Sequence, residues 1–183
     1  NRGYPRPPYL ETAFDDEYKS RRIDQSLILK KKIKHNGVIN SIFSFNRYNR
    51  NKNTYFTDLT TLNSELTNNA ADQDTSIFDQ WVLRGNYTSL KDWNKITFQI
   101  GYDLLIEGAE GKRILNNRQE QSDYALFASL EYKPNNSLIL KPGIRYSYNT
   151  TYSPPILPAL NLKWNISNKW TFRSSYARGF RAP

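Results

Sequence analysis

Cysteine is absent from the 183 residues, which rules out a disulfide framework and thiolate metal sites while leaving the compartment open. No stretch comes near the run of about 18 apolar residues that a transmembrane helix needs. Barrel strands carry a far weaker signal per segment, so the membrane itself is not excluded. The chain does not open on a signal peptide, as expected of a mature or excised piece. His35, the single histidine, falls in a predicted turn, so a histidine-based triad or His-rich metal centre is not expected. Asp15-Asp16-Glu17 reads as a solvated acidic run rather than a cation site. G-x-S-x-G, P-loop and G-x-G-x-x-G patterns are all missing. No enzyme activity, catalytic residue, metal or cofactor is therefore expected.

Hydrophobic residues make up 38% of the chain, yet aromatics reach 14%, with 13 Tyr. Aliphatics are too few for a solid two-layer core, and many of the remaining residues suit walls that face water. A barrel with a wet interior explains both. The net charge of +9 points to an anionic partner: nucleic acid, lipopolysaccharide or an anionic solute. Lys and Arg are scattered over nearly every segment, and no nucleic-acid-binding motif accompanies them, so nucleic acid is set aside.

Helical periodicity is scarce and alternation is widespread. From Lys95 to Glu107 one face reads Ile96, Phe98, Ile100, Tyr102, Leu104, Ile106, and the other is mainly polar. A period of two over six pairs marks a strand with one apolar face. The pattern repeats in Tyr124-to-Tyr132, in Leu138-to-Tyr148, in Leu160-to-Ile166 and in Trp170-to-Tyr176. Pro142 removes one ladder donor and suggests a bulge or local irregularity. Earlier strands near Ile23–Ile33, Val38–Tyr48 and Gln80–Tyr87 alternate less cleanly. The expectation is an all-β, antiparallel up-and-down meander of about eight strands.

Connections alternate short and long. Short turns are predicted at His35-Asn36-Gly37, Lys91-Asp92-Trp93-Asn94, Pro134-Asn135-Asn136 and Ser167-Asn168-Lys169, Asn-Gly being a strong hairpin signal. Long connections are predicted at about 58–76, 108–120 and 150–157. Bacterial outer-membrane barrels show this asymmetry, with short periplasmic turns and long external loops. Residues 1–20 then enter from outside. Trp93, Tyr132, Trp164 and Trp170 lie near short turns, as an interfacial girdle would.

The C-terminal run Tyr176-Ala177-Arg178-Gly179-Phe180-Arg181-Ala182-Pro183 resembles the "Y-x-x-G-F-R-A-P" motif of TonB-dependent receptors. The preceding hairpin, Ala159–Trp164 and Lys169–Tyr176, and the strand Pro142-Gly143-Ile144-Arg145-Tyr146 are similar to the segments before that motif. The likeness covers roughly 125–183. It implies a 22-stranded transmembrane β-barrel of which residues 1–183 are a part. The N-terminal plug domain, the TonB-contacting box and the remaining barrel strands would lie outside. It further implies a Gram-negative outer-membrane location and import of a scarce nutrient such as ferric siderophore, cobalamin or haem, driven through TonB acting on the plug.

Two sets of site residues follow. Tyr176, Arg178, Gly179, Phe180, Arg181 and Pro183 belong to the motif, and the resemblance makes them candidates for plug or ligand contact. Arg47, Tyr48, Arg50, Lys112, Arg113 and Arg118 decorate predicted external ends, where Arg forks suit the carboxylates and phosphates of a small nutrient ligand or of lipopolysaccharide. Two alternatives stay open: a complete eight-stranded outer-membrane barrel with a structural or adhesive role, and a soluble lipocalin-like barrel. They differ in which face meets lipid. In the soluble barrel the apolar face turns inward.

Overall fold

Twelve of the 13 alternating residues from Lys95 to Glu107 form the greater part of a 16-residue strand. In a computed structural model, described for residues 12–34, 37–90 and 95–181, nine strands appear. They are β1 (Thr12–Ile33), β2 (Gly37–Asp58), β3 (Ser64–Leu66), β4 (Asp74–Ser89), β5 (Ile96–Gly111), β6 (Arg118–Asn135), β7 (Leu138–Asn149), β8 (Leu157–Asn165) and β9 (Thr171–Ala177). One 3₁₀ turn, Leu115–Asn117, lies between β5 and β6. The sheet order is β1-β2-β4-β5-β6-β7-β8-β9, with β3 pairing only β2. Eight strands thus form the expected meander, and β3 is a ninth, inside the predicted 58–76 connection. The predicted turns at His35-Asn36 and Lys91–Asn94, with Trp93, lie outside the described residues, as does Pro183.

The chain divides into two compact units. The larger comprises Asp24–Asn46, Gln80–Glu107 and Glu120–Pro183. Its register aligns the apolar rows across four strands. Leu126 faces Tyr146, Ala128 faces Ile144 and Tyr132 faces Leu140. Leu140 faces Leu162, Leu138 faces Trp164 and Pro142 faces Leu160. Leu160 faces Tyr176 and Trp164 faces Phe172. A one-residue slip of any strand would turn its whole row to the polar face, so this alignment is strongly specified.

Nothing among the described residues covers that apolar face. Leu126 is 64% exposed, Ile144 52% and Phe172 51%, while Ala125 is the one buried hydrophobic residue among those described. A sheet with uncovered Leu, Ile, Phe and Trp side chains on one face has no dry interior of its own. The soluble barrel required these side chains to converge on one. Ten residue steps along β7, from Leu138 to Tyr148, rise roughly 33 Å. At the usual strand tilt that spans an apolar band about 25 Å tall.

Turn chemistry sits where the sequence places it. Asn135 Oδ1 accepts from the amides of Ser137 (3.0 Å) and Leu138 (2.9 Å), closing the β6–β7 hairpin. This is the local backbone capture that favours Asn in turns. Between β8 and β9, Ile166 N–H donates to the Trp170 carbonyl at 3.0 Å. At Pro142 the β6–β7 pairing passes from Ser129↔Gly143 directly to Tyr132↔Leu140 without a change of offset. The ladder skips a rung there and carries no bulge; the register shift falls between Tyr132 and Asn135.

Aromatic rings lie over glycines in this unit. A Cβ on Gly85 would meet the Tyr102 ring at 2.6 Å. One on Gly101 would overlap the Phe127 ring and sit 2.5 Å from the Gly85 carbonyl oxygen. The Tyr102 hydroxyl continues to Ser41 Oγ at 3.1 Å. Glycine in a strand weakens it unless a neighbouring side chain uses the cleared space, and these rings do.

The smaller unit comprises Asn1–Ile23, Arg47–Asp79 and Gly108–Gln119. Here β1, β2, β4 and β5 run further than hydrophobic alternation suggests. β3 pairs β2 through Tyr55↔Leu66, Phe56↔Glu65 and Thr57↔Ser64. Gln73 ties the region together: its Oε1 accepts from Thr54 N (3.2 Å), and its Nε2 donates to Thr67 Oγ1 (3.0 Å). Asp58 caps the turn after β2 by accepting from the amides of Thr60 (2.7 Å) and Thr61 (3.1 Å). Those two donors hold its carboxyl below the ordinary range.

Candidate functional site

Alternation leaves the second face of the larger unit polar, and its side chains find one another across strands. Asp103 on β5 accepts from Arg84 Nε on β4 at 2.7 Å and from Arg145 Nη2 on β7 at 3.2 Å. Gln80 donates to Glu107 at 2.7 Å, Asn40 donates to Asn86 at 3.1 Å, and Asn46 donates to Asp24. This face is a hydrated hydrogen-bonding surface interrupted by Phe127, whose ring lies over Gly101. Asp103→Asn should lower stability by about 1 kcal/mol, because Arg84 and Arg145 lose their shared counter-charge at a partly exposed site. Equilibrium denaturation at two ionic strengths checks this, since the loss should shrink as salt screens the pair.

The smaller unit carries the second set of predicted site residues. Arg50 lies 5.7 Å above the Tyr18 ring, a cation–π arrangement. The Tyr48 hydroxyl is 3.1 Å from Ser20 Oγ. Arg47 lines a hollow of about 310 Å³ together with Arg21, Ile23 and Asn49. Lys112 donates to the carbonyls of Ala70 (2.9 Å) and Gln73 (3.0 Å). Arg113 pairs with Asp74 at 3.2 Å, and Arg118 with Glu110 at 3.4 Å. Lys112 and Arg113 therefore brace the β2–β4 connection against the β5–β6 connection. Arg47 makes no ion pair with a described residue.

Threonines that the sequence did not single out, together with Asp15 and Asp16 of the acidic run, organise the same unit. Thr54 Oγ1 donates to Asp16 at 2.7 Å, Lys52 pairs with Asp16 at 3.0 Å, and Thr57 Oγ1 donates to Asp15 at 2.6 Å. The Thr54 hydroxyl first, and the Lys52 ammonium second, keep the Asp16 carboxyl below its usual range. Asp16 in turn raises Lys52. Asp15 and Asp16 are thus satisfied by hydroxyl and ammonium donors. The signal in the sequence was the Thr- and Asn-rich character of 51–57, which carries no apolar period.

The motif residues divide. Tyr176 stands on the apolar face opposite Leu160. Arg178 extends past β9 and donates its amide to the Pro158 carbonyl at 3.0 Å. The Phe180 ring lies 5.6 Å from that of Tyr152. No described residue lies within 4 Å of where a Gly179 Cβ would be, and no described glycine has positive φ. Arg181 is exposed.

Residues 1–183 match the family model for the β-barrel of TonB dependent receptor-like proteins. The chain belongs to the TonB-dependent receptor β-barrel family. Solved structures agree in fold. A variant of the ferric enterobactin receptor PfeA from Pseudomonas aeruginosa superimposes with a TM-score of 0.69 at 14% identity, over 91% of this chain and 26% of that one. The siderophore receptor PirA from the same organism gives 0.55 at 14% identity, over 97% of this chain and 40% of that one. Among curated proteins none matches. The chain spans less than half the length of these receptors. TonB-dependent receptor barrels are outer-membrane proteins of Gram-negative bacteria, so the family supplies the hydrocarbon that the uncovered apolar face demands.

Proposed function

We propose that these strands form part of the wall of an outer-membrane receptor that captures a scarce nutrient and imports it with energy relayed by TonB through a plug domain. Ferric siderophore is the leading substrate class, with cobalamin and haem as further members. The observation that carries the reading is the two-faced sheet: apolar rows in register and uncovered on one side, Arg84-Asp103-Arg145 and its neighbours on the other. Such a sheet needs hydrocarbon against one face and an aqueous lumen against the other. The siderophore receptors among its structural neighbours favour that substrate class. Import would then proceed by displacement of a gate, with no bond made or broken by the wall. Arg47 and Arg50 at the long-loop end and Arg178 and Arg181 beyond β9 are the proposed contacts for ligand or plug.

Radiolabelled ferric-siderophore uptake by cells expressing the full-length receptor tests this. Uptake should vanish when TonB is deleted or the proton gradient is collapsed. Pairwise Arg47→Ala and Arg50→Ala substitution should weaken capture by roughly tenfold or more, the loss of one or two charge-assisted contacts. Uptake that is unaffected by TonB and by the gradient would count decisively against the reading.

A further inference from the structure

Lys31 interrupts an apolar row. Asn46 on β2 donates to Asp24 on β1, which sets both on the polar face, with Asn40 and Asn86. Alternation then puts Leu27, Leu29, Lys31 and Ile33 of β1 on the opposite face, the one where Phe43 and Phe45 meet Trp81. Leu27 is 68% exposed and Leu29 55%, so this row needs hydrocarbon as much as the later strands do. Stepping equally far from Asp24 and from Asn46, in opposite directions along the ladder, brings Lys31 beside Ile39. The Lys31 ammonium is exposed and makes no ion pair with a described residue.

Ile39 opens a hollow of about 460 Å³ on the same face, continued by Tyr87, Ile100, Tyr102 and Leu126 and lined almost wholly by apolar atoms. Two rings shape it by lying down over glycines, Tyr87 over Gly37 and Tyr102 over Gly85. The hollow also deepens away from Lys31. Lys31 stands two residues from the end of β1 and Ile39 two from the start of β2, whereas Ile100 is four residues into β5 and Leu126 nine from the end of β6. Those strand ends are the short turns, which lie on the periplasmic side in outer-membrane barrels. The hollow therefore leads from headgroup level toward mid-bilayer, with Lys31 at the headgroup end. A lysine that merely snorkels needs water and no cavity beside it, and an unfilled cavity forfeits dispersion contacts along its lining. We infer that Lys31 and this hollow form a site for one anionic glycerophospholipid of the periplasmic leaflet, its phosphate on the Lys31 ammonium and one acyl chain laid along Ile39, Ile100 and Leu126. A zwitterionic headgroup fits less well, because its own ammonium competes with Lys31 for the phosphate. The inference rests on the barrel reading, which gives this face to lipid.

The test uses the full-length receptor in phosphatidylethanolamine vesicles holding a small fraction of phosphatidylglycerol with a diazirine on one acyl chain. After irradiation, peptide mapping should find the label at Ile39, Ile100 or Leu126 several-fold more often than at Leu140 or Leu162, which face each other on the same apolar side. The same diazirine carried by phosphatidylethanolamine should show no such preference. Lys31→Gln should remove the preference, and the conservative Lys31→Arg should keep it. Ile100→Trp, which fills the hollow, should remove it with Lys31 still in place. Even labelling by phosphatidylglycerol would overturn the site, and so would a preference that survives Lys31→Gln or that phosphatidylethanolamine shares. Absence of label at all five positions would remove the lipid-facing reading and the site with it, so the two failures are told apart.

Discussion

Ile100→Arg in the full-length receptor is expected to cost about 2–4 kcal/mol of folding stability in lipid, the range for a charge placed at bilayer mid-depth on a barrel exterior. Gln99→Arg, one residue away, should cost less than about 1 kcal/mol, because a polar wall position accepts a solvated charge. Ile100 is 50% exposed within the row Phe98, Ile100, Tyr102, so the penalty comes from the medium and not from crowding. Urea titration of the receptor refolded into vesicles reads both numbers. The ordering matters more than either value: if Gln99→Arg proved the more damaging, the apolar face would not be the lipid face.

Gly101→Val should destabilise by about 1–3 kcal/mol through overpacking, although valine is the better strand former. Its backbone conformation is ordinary, so strain in φ plays no part. The new side chain would collide with the Phe127 ring and with the Gly85 carbonyl oxygen 2.5 Å away. A ring can rotate aside, but a ladder carbonyl cannot. Phe127→Ala added to Gly101→Val should therefore recover only part of the loss, whereas relief of the ring alone would give full recovery. Gly179→Ala is the matched control, since no described residue lies near that position, and it should be neutral. Denaturation midpoints of the four proteins decide the matter.

Both outcomes depend on the part of the molecule that was most legible in the sequence. From Ile96 to Tyr176 one face meets hydrocarbon and the other water, so side-chain type alternates with the pleat and the register rows can be anticipated residue by residue. Toward the long-loop ends both faces of a strand meet water, and alternation carries no information. That is why β1 is already extended at Thr12, well before the alternating positions from Ile23, and why β5 runs to Gly111. The backbone ladder persists there beside side-chain hydrogen bonds that leave no apolar trace, such as Thr54 Oγ1 to Asp16 and Thr57 Oγ1 to Asp15. β3 is invisible for the same reason; Ser64-Glu65-Leu66 has no period to detect. The motif and the basic loop residues could be named from the sequence. Their partners could not: Arg113 meets Asp74 and Lys112 meets Ala70 only because distant loops fold together.

A wall one strand thick, with Ala125 its one buried hydrophobic side chain among the described residues, also has an evolutionary reading. In a globular protein, altering a binding surface disturbs the packing beneath it. Here the layer beneath is the outward row, which answers to a different solvent. A polar-face position such as Gln99 can change its charge or hydrogen bonding while Ile100, Ile144 and Leu162 answer to greasiness alone. Two nearly independent constraints on alternate letters let one face vary while the other holds its place.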